Sequence, residues 1–114
     1  MADTTTTTQP KTLDEAFEVI TKELLETFLK KHHDYGKGNI LEIEELGIAF
    51  REAEKVSRLK NLLMKTDDPA NESIDDTWTD IAVYGVIALL FRRGWFQELE
   101  VEGSNPRLPV PDRV

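Results

Sequence analysis

Apolar residues recur at helical spacing along most of the chain, and three stretches carry the pattern clearly. Leu13, Phe17, Ile20, Leu24 and Phe28 repeat every three or four residues, while Glu18, Lys22, Glu26 and Lys30 lie off that stripe. This predicts an amphipathic, core-packing first helix over about Leu13 to Lys31. Thr12 followed by Glu15 supplies a start signal, because the hydroxyl and the carboxylate each satisfy a free backbone N–H of the first turn. Gly36 and Gly38 then end the helix in a loop.

A second helical pattern runs from Asn39 to about Lys65 with a weak point at Gly47. It predicts a short lead-in over 39–46 and a main helix from Gly47 to Met64, with Ala49, Val56, Leu59 and Leu63 as its core stripe. Pro69 breaks the turn-rich connector that follows. The third helix starts at Asn71 or Ser73 among acids, becomes apolar nearly all round from Ile81, and closes around Phe91 to Arg93 with Gly94 as its cap. A helix apolar on every face is a buried one. Trp95 and Phe96 are expected to fold back on the bundle or onto a second subunit. Residues 1–11, a Thr run ending at Pro10, read as a disordered lead; 12–96 as a single all-α domain; and 97–114 as an extended or flexible tail. Short connections make the expected architecture an antiparallel bundle of three to four helices.

Charge narrows the partners. A net charge of -8 on 114 residues disfavours nucleic-acid polymers and anionic membranes, since neither is drawn to an acidic surface. A phosphorylated small molecule stays open, because a bound divalent cation reverses the sign of an acidic pocket. There is no cysteine, hence no disulfide, thiol nucleophile or Cys-ligated zinc. The N-terminus lacks the apolar core of a signal peptide, and Ile81 to Leu90 is too short to span a bilayer, so a cytoplasmic location is expected.

The acids of the third helix carry the candidate chemistry. Glu72 and Asp75 sit in a first turn, where the helix dipole favours carboxylates without any function. Asp80 lies two turns in, where that effect has faded and Asp is a poor helix former. Asp76, Asp80 and Tyr84 share one narrow face, and on the second helix Arg51, Glu54, Lys55 and Arg58 stand at i, i+3, i+4 and i+7. If the two faces meet, Glu54, Asp76 and Asp80, with Glu72 outermost, form an oxygen-rich set suited to Mg²⁺ or Mn²⁺, and Arg51, Lys55 and Arg58 suit a polyphosphate. The same groups can equally neutralise one another in a salt-bridge network. In the glycine loop, Tyr35, Lys37 and Asn39 offer a ring, a cation and an amide to a base or phosphate, or form a plain turn. His32 and His33 are adjacent, cannot share a helical face, and make a poor metal pair.

The segments HDYGKGN, GIAFREAEKVSRLKNLL and NESIDDTWTDIAVYGVIALL together resemble the nucleotide modification-associated domain 1 family of phage and bacterial proteins, and are more distantly similar to MazG-like all-α nucleoside triphosphate pyrophosphohydrolases. The resemblance covers about Asp34 to Leu90. It implies an all-α fold that forms dimers or higher oligomers, and Mg²⁺-dependent cleavage of a nucleotide between its α and β phosphates. The MazG pattern of Glu-Glu-x-x-Glu and Glu-x-x-Asp is departed from: Ile48 follows Glu44-Glu45-x-x, and Thr77 stands three residues before Asp80. Carried over residue by residue, the resemblance points to Asp80, then Asp76 and Glu54, with Glu45 last. Three functions follow as expectations: a nucleotide pyrophosphohydrolase, a nucleotide-binding module of the same fold that does not cleave, and a structural helical dimerisation protein.

Overall fold

Thr12 opens the first helix as its spacing predicts. Its hydroxyl accepts the Glu15 N–H at 3.2 Å, while the Glu15 carboxylate accepts the N–H of Lys11 at 2.8 Å, one residue earlier than the reciprocal box requires. The computed structural model describes residues 9–65 and 71–102, with the side chains of 71–73 left aside. Four helices follow in order: α1 Leu13–Tyr35, α2 Gly38–Met64, α3 Asn71–Arg92 and the single-turn α4 Trp95–Glu98. No strand occurs among the described residues, and the fold is an all-α bundle.

α1 runs four residues past the expected Lys31, because the stop is Gly36 itself. Its φ of 69° lies in the left-handed region and its N–H bonds the His32 carbonyl at 2.8 Å. At the same end of the bundle Gly94 adopts φ 76° and donates to the Phe91 carbonyl at 3.0 Å, which reverses the chain and drops Phe96 into the core. Phe96 therefore folds back on its own bundle.

α2 does break into a lead-in and a main helix, but at Glu44 (φ 60°, ψ -170°) and not at Gly47. That conformation is strained for any residue with a Cβ, at about 1–3 kcal/mol. Gly47 has a different task. A Cβ there would stand 2.3 Å from the Ile43 Cβ, so the missing side chain is what lets the lead-in fold over the main helix. Gly47→Ala is accordingly expected to cost about 1–3 kcal/mol, despite the higher helix propensity of alanine; urea denaturation measures it, and an unchanged midpoint would mean the kink is not packed this way.

α3 is the centre, packed by α2, α1 and α4. Ile40 and Ile48 of α2, Val83 and Ile87 of α3, and Phe96 of α4 form the buried cluster, with Leu24 and Phe28 of α1 against it. Two expected core stripes are not buried. α1 has no buried residue at all, with Leu13 87%, Phe17 70% and Ile20 52% exposed. On α2 only Leu59 of the expected stripe is buried; Ala49, Val56 and Leu63 face outward, because the face turned to α3 is the one carrying Ile48 and Leu59. Among the described residues no helix is long and apolar enough to cross a membrane.

Candidate functional site

The face of α2 turned to α3 mixes buried aliphatic residues with Arg51, Glu52 and Lys55. Ile48, Glu52 and Leu59 stand at i, i+4 and i+11, so the helix that buries Ile48 and Leu59 also carries a carboxylate inward. Glu52 Oε1 is buried without a hydrogen-bond partner. Its other oxygen, Oε2, lies 3.9 Å from where a Cβ on Gly85 of α3 would be, an ordinary contact distance. Burial pushes the Glu52 carboxyl above the usual range; Lys55 opposes this and the Asp80 carboxylate adds to it.

Asp80 faces the same seam from α3. Its Oδ2 accepts from Lys55 Nζ at 3.2 Å and its Oδ1 is 3.7 Å from Lys31 Nζ of α1, so three helices meet at this one carboxylate. One turn along, Arg51 donates to the Tyr84 hydroxyl at 3.2 Å and to Asn39 Oδ1 at 3.2 Å, which ties the lead-in of α2 to α3. Lys55 Nζ also stands 5.9 Å from the Tyr84 ring centre.

Lys31, Asn39, Arg51, Asp80 and Tyr84 of this set border an open cavity of about 260 Å³ between α1, α2 and α3. Lys31, Arg51, Asn39 and Asp80 supply its polar wall, and Phe28, Tyr84 and Phe96 its rings, with Tyr35 also lining it. His32 closes one side, stacked on Phe28 at 5.3 Å between ring centres and edge-on to Phe96 at 6.3 Å. Burial, and after it the nearby Lys37 cation, hold the His32 imidazole below its ordinary range, so it presents a neutral aromatic face at pH 7. Cations beside stacked rings suit a ligand with phosphates at one end and a flat base at the other.

Of the residues expected from sequence, Asp80, Arg51, Tyr35 and Asn39 line this cavity, and Lys55 sits behind it on Asp80. Lys37 does not reach it. Its ammonium donates to the carbonyls of Gln97 and Leu99 and to Glu100, strapping the segment after α4 to the start of α2. Glu45 is on the surface, taken by Arg92 at 2.9 Å. Glu54, Asp76 and Arg58 are exposed and lie outside the cavity lining. The side chain of Glu72 lies outside the described residues. Among the described residues no three His, Cys, Asp or Glu gather in a way that could hold a metal ion. Glu52, Lys31, Phe28 and His32 are the site residues that sequence reasoning passed over. For Glu52 the signal was available: it is the one acid within an i, i+4, i+11 set of aliphatic positions.

Two carboxylates fit a magnesium ion better than the missing third suggests. Mg²⁺ is held by one or two protein carboxylates, with water and substrate phosphates completing its shell. The two carboxylates at this seam are Glu52, with an oxygen that has no partner, and Asp80, whose charge acts on it.

The chain belongs to the family described as nucleotide modification associated domain 1, whose model matches residues 31–91. That span runs from Lys31 to Phe91 and holds the acid pair, Arg51, Asn39 and Tyr84. No curated protein and no solved structure matches the chain.

Proposed function

We propose that this domain binds a (deoxy)nucleoside triphosphate in the α1–α2–α3 cavity and, with Mg²⁺ or Mn²⁺, cleaves it to monophosphate and pyrophosphate. The observation that carries the reading is Asp80 on the wall of a cavity also lined by Arg51 and Lys31, together with a buried, unpartnered Glu52 oxygen whose carboxyl feels the Asp80 charge. Glu52 and Asp80 are the residues that would hold the cation, and when bound it supplies polarisation of a phosphoryl oxygen and activation of a water. Arg51 and Lys31 bind and orient the phosphate chain, and Lys31 and Lys55 counter the charge that develops on the leaving pyrophosphate. Phe28, His32 and Tyr84 exclude water from the base end. The family description and the resemblance to pyrophosphohydrolases support the choice of a nucleotide.

A second reading, capture without cleavage, is favoured by one observation: Lys55 and Lys31 already neutralise Asp80. Incubation with Mg²⁺ or Mn²⁺ and a panel of nucleoside triphosphates, modified ones included, separates the two. Monophosphate and pyrophosphate in equal amounts are expected. Thermal stabilisation by a nucleotide with no product supports capture, and no response in either measurement rejects both.

A further inference from the structure

α4 and the segment after it, 95–101, lie beyond the residues that the family model matches, yet Phe96 reaches back into the cavity wall. Phe96, His32 and Phe28 line that cavity, and the same three rings line a second, smaller space of about 140 Å³ closed by Lys37, Leu99 and Val101. The rings therefore border both spaces, with the segment after α4 behind them. What holds that segment is Lys37. Its side chain is only 15% exposed, and an ammonium so far out of water needs partners for its three N–H groups. It has three acceptors: the carbonyls of Gln97 and Leu99 and, at 3.1 Å, Glu100 Oε2. Those carbonyls belong to the last turn of α4, where no later backbone N–H is placed to reach them. The ammonium also stands 5.9 Å from the centre of the Phe96 ring. With every N–H taken, none is left for a phosphate.

We infer that residues 95–101 are the base-selecting element of the cavity and that Lys37 is a positioning residue for it: the clamp keeps Phe96 and His32 packed where a flat base stacks on them, and the ammonium touches no part of the nucleotide. His32 is fixed by the same packing, stacked on Phe28 at 5.3 Å and edge-on to Phe96 at 6.3 Å. The segment has few other anchors among the described residues. Phe96 is buried, the Gln97 side chain donates to the Phe91 carbonyl at 3.1 Å, and Leu99 is 59% exposed. A segment docked through so few contacts opens locally when one of them goes. The phosphate end is built differently, from Lys31, Arg51 and Asp80, whose hydrogen bonds and ion pairs run to one another, Tyr84, Asn39 and Lys55, and not to this segment. Selection of a base rests on the nucleotide reading, whereas the clamp does not.

Calorimetry in chelator, with dATP, dTTP and inorganic tripolyphosphate as ligands, tests selection, and amide hydrogen exchange of the ligand-free full chain tests the clamp. In the wild type at least one of the two nucleotides is expected to bind about 10-fold tighter than tripolyphosphate, the share that base stacking contributes. Lys37→Met should close that gap by weakening the nucleotide alone, with tripolyphosphate affinity unchanged. It should also speed exchange across 95–101 by about 10-fold while α3 stays protected. Lys37→Arg, which keeps a cation with several donors, should restore both. Unaltered exchange in Lys37→Met overturns the clamp whatever the ligands do. A wild type that binds tripolyphosphate as tightly as either nucleotide overturns base selection and leaves phosphate binding in place. One that binds none of the three overturns the nucleotide reading itself, and base selection with it. Loss of nucleotide and tripolyphosphate alike in Lys37→Met overturns the positioning role, since Lys37 would then serve the phosphates.

Discussion

Asp80→Asn is expected to lower Mg²⁺-dependent pyrophosphate release by about 100- to 1,000-fold while the bundle stays folded. The substitution keeps shape and removes charge, and Asn is as poor a helix former as Asp, so the backbone of α3 gains or loses little. What the fold loses is the pairing of Asp80 with Lys55 and Lys31. Those side chains are partly open to water, 26% for Asp80, 29% for Lys55 and 52% for Lys31, where ion pairs contribute only about 0–1 kcal/mol. What the site loses is half of its acid pair, leaving Glu52 to hold a cation alone among lysines. Nucleotide binding without metal should survive, since Arg51 and Lys31 remain and no longer share their field with an anion. The measurement is turnover by chromatography alongside binding by calorimetry in chelator. Undiminished release by the variant would remove Asp80 from the chemistry and the hydrolase reading with it.

Periodicity located the three long helices, and local chemistry located their ends where a single residue decides: Thr12 and Glu15 at the start of α1, Gly94 after α3. It failed at Gly47 because a glycine in a helix has two uses, flexibility and space, and only the packing of Ile43 tells which one applies. A stripe of apolar residues likewise says that a face needs cover without saying whose chain provides it. Phe17 and Val56 read as core from the sequence and are exposed here. Asp80 was legible because its depth in the helix has no local cause. Spacing placed Glu54 beside Lys55 on one helix, but reach across to another helix is a tertiary fact, and Glu52 is the acid that the rotation of α2 turns inward. Lys37 was assigned to a phosphate by its glycine neighbours, and the carbonyls that hold it lie some sixty residues away, beyond anything a local motif encodes.

Glu52→Gln should stabilise the protein at neutral pH and disable it. The Glu52 carboxyl is raised above its ordinary value of 4.5, chiefly by burial, with Asp80 adding to the rise and Lys55 opposing it. A carboxyl raised in the folded state favours folding while it is protonated. Its contribution is fully present below pH 4.5 and is lost as pH rises through the raised value. Gln does not titrate and carries no charge to desolvate. The melting temperatures of variant and wild type should therefore converge toward pH 4.5 and separate above it, with the variant the higher of the two at pH 7.5. Mg²⁺ reverses that order by a linkage effect. An ion that binds the folded wild type through Glu52 and Asp80 raises its melting temperature, and the variant, lacking one carboxylate, should gain much less. Adding a chelator should restore the gap. A variant that melts below the wild type in chelator at pH 7.5 would show that the buried oxygen has a partner after all, and equal gains with Mg²⁺ would place the cation elsewhere. On the proposed reading, a single carboxylate would account for both results: its charge is costly in the empty fold, and a cation delivered with the substrate would offset that cost.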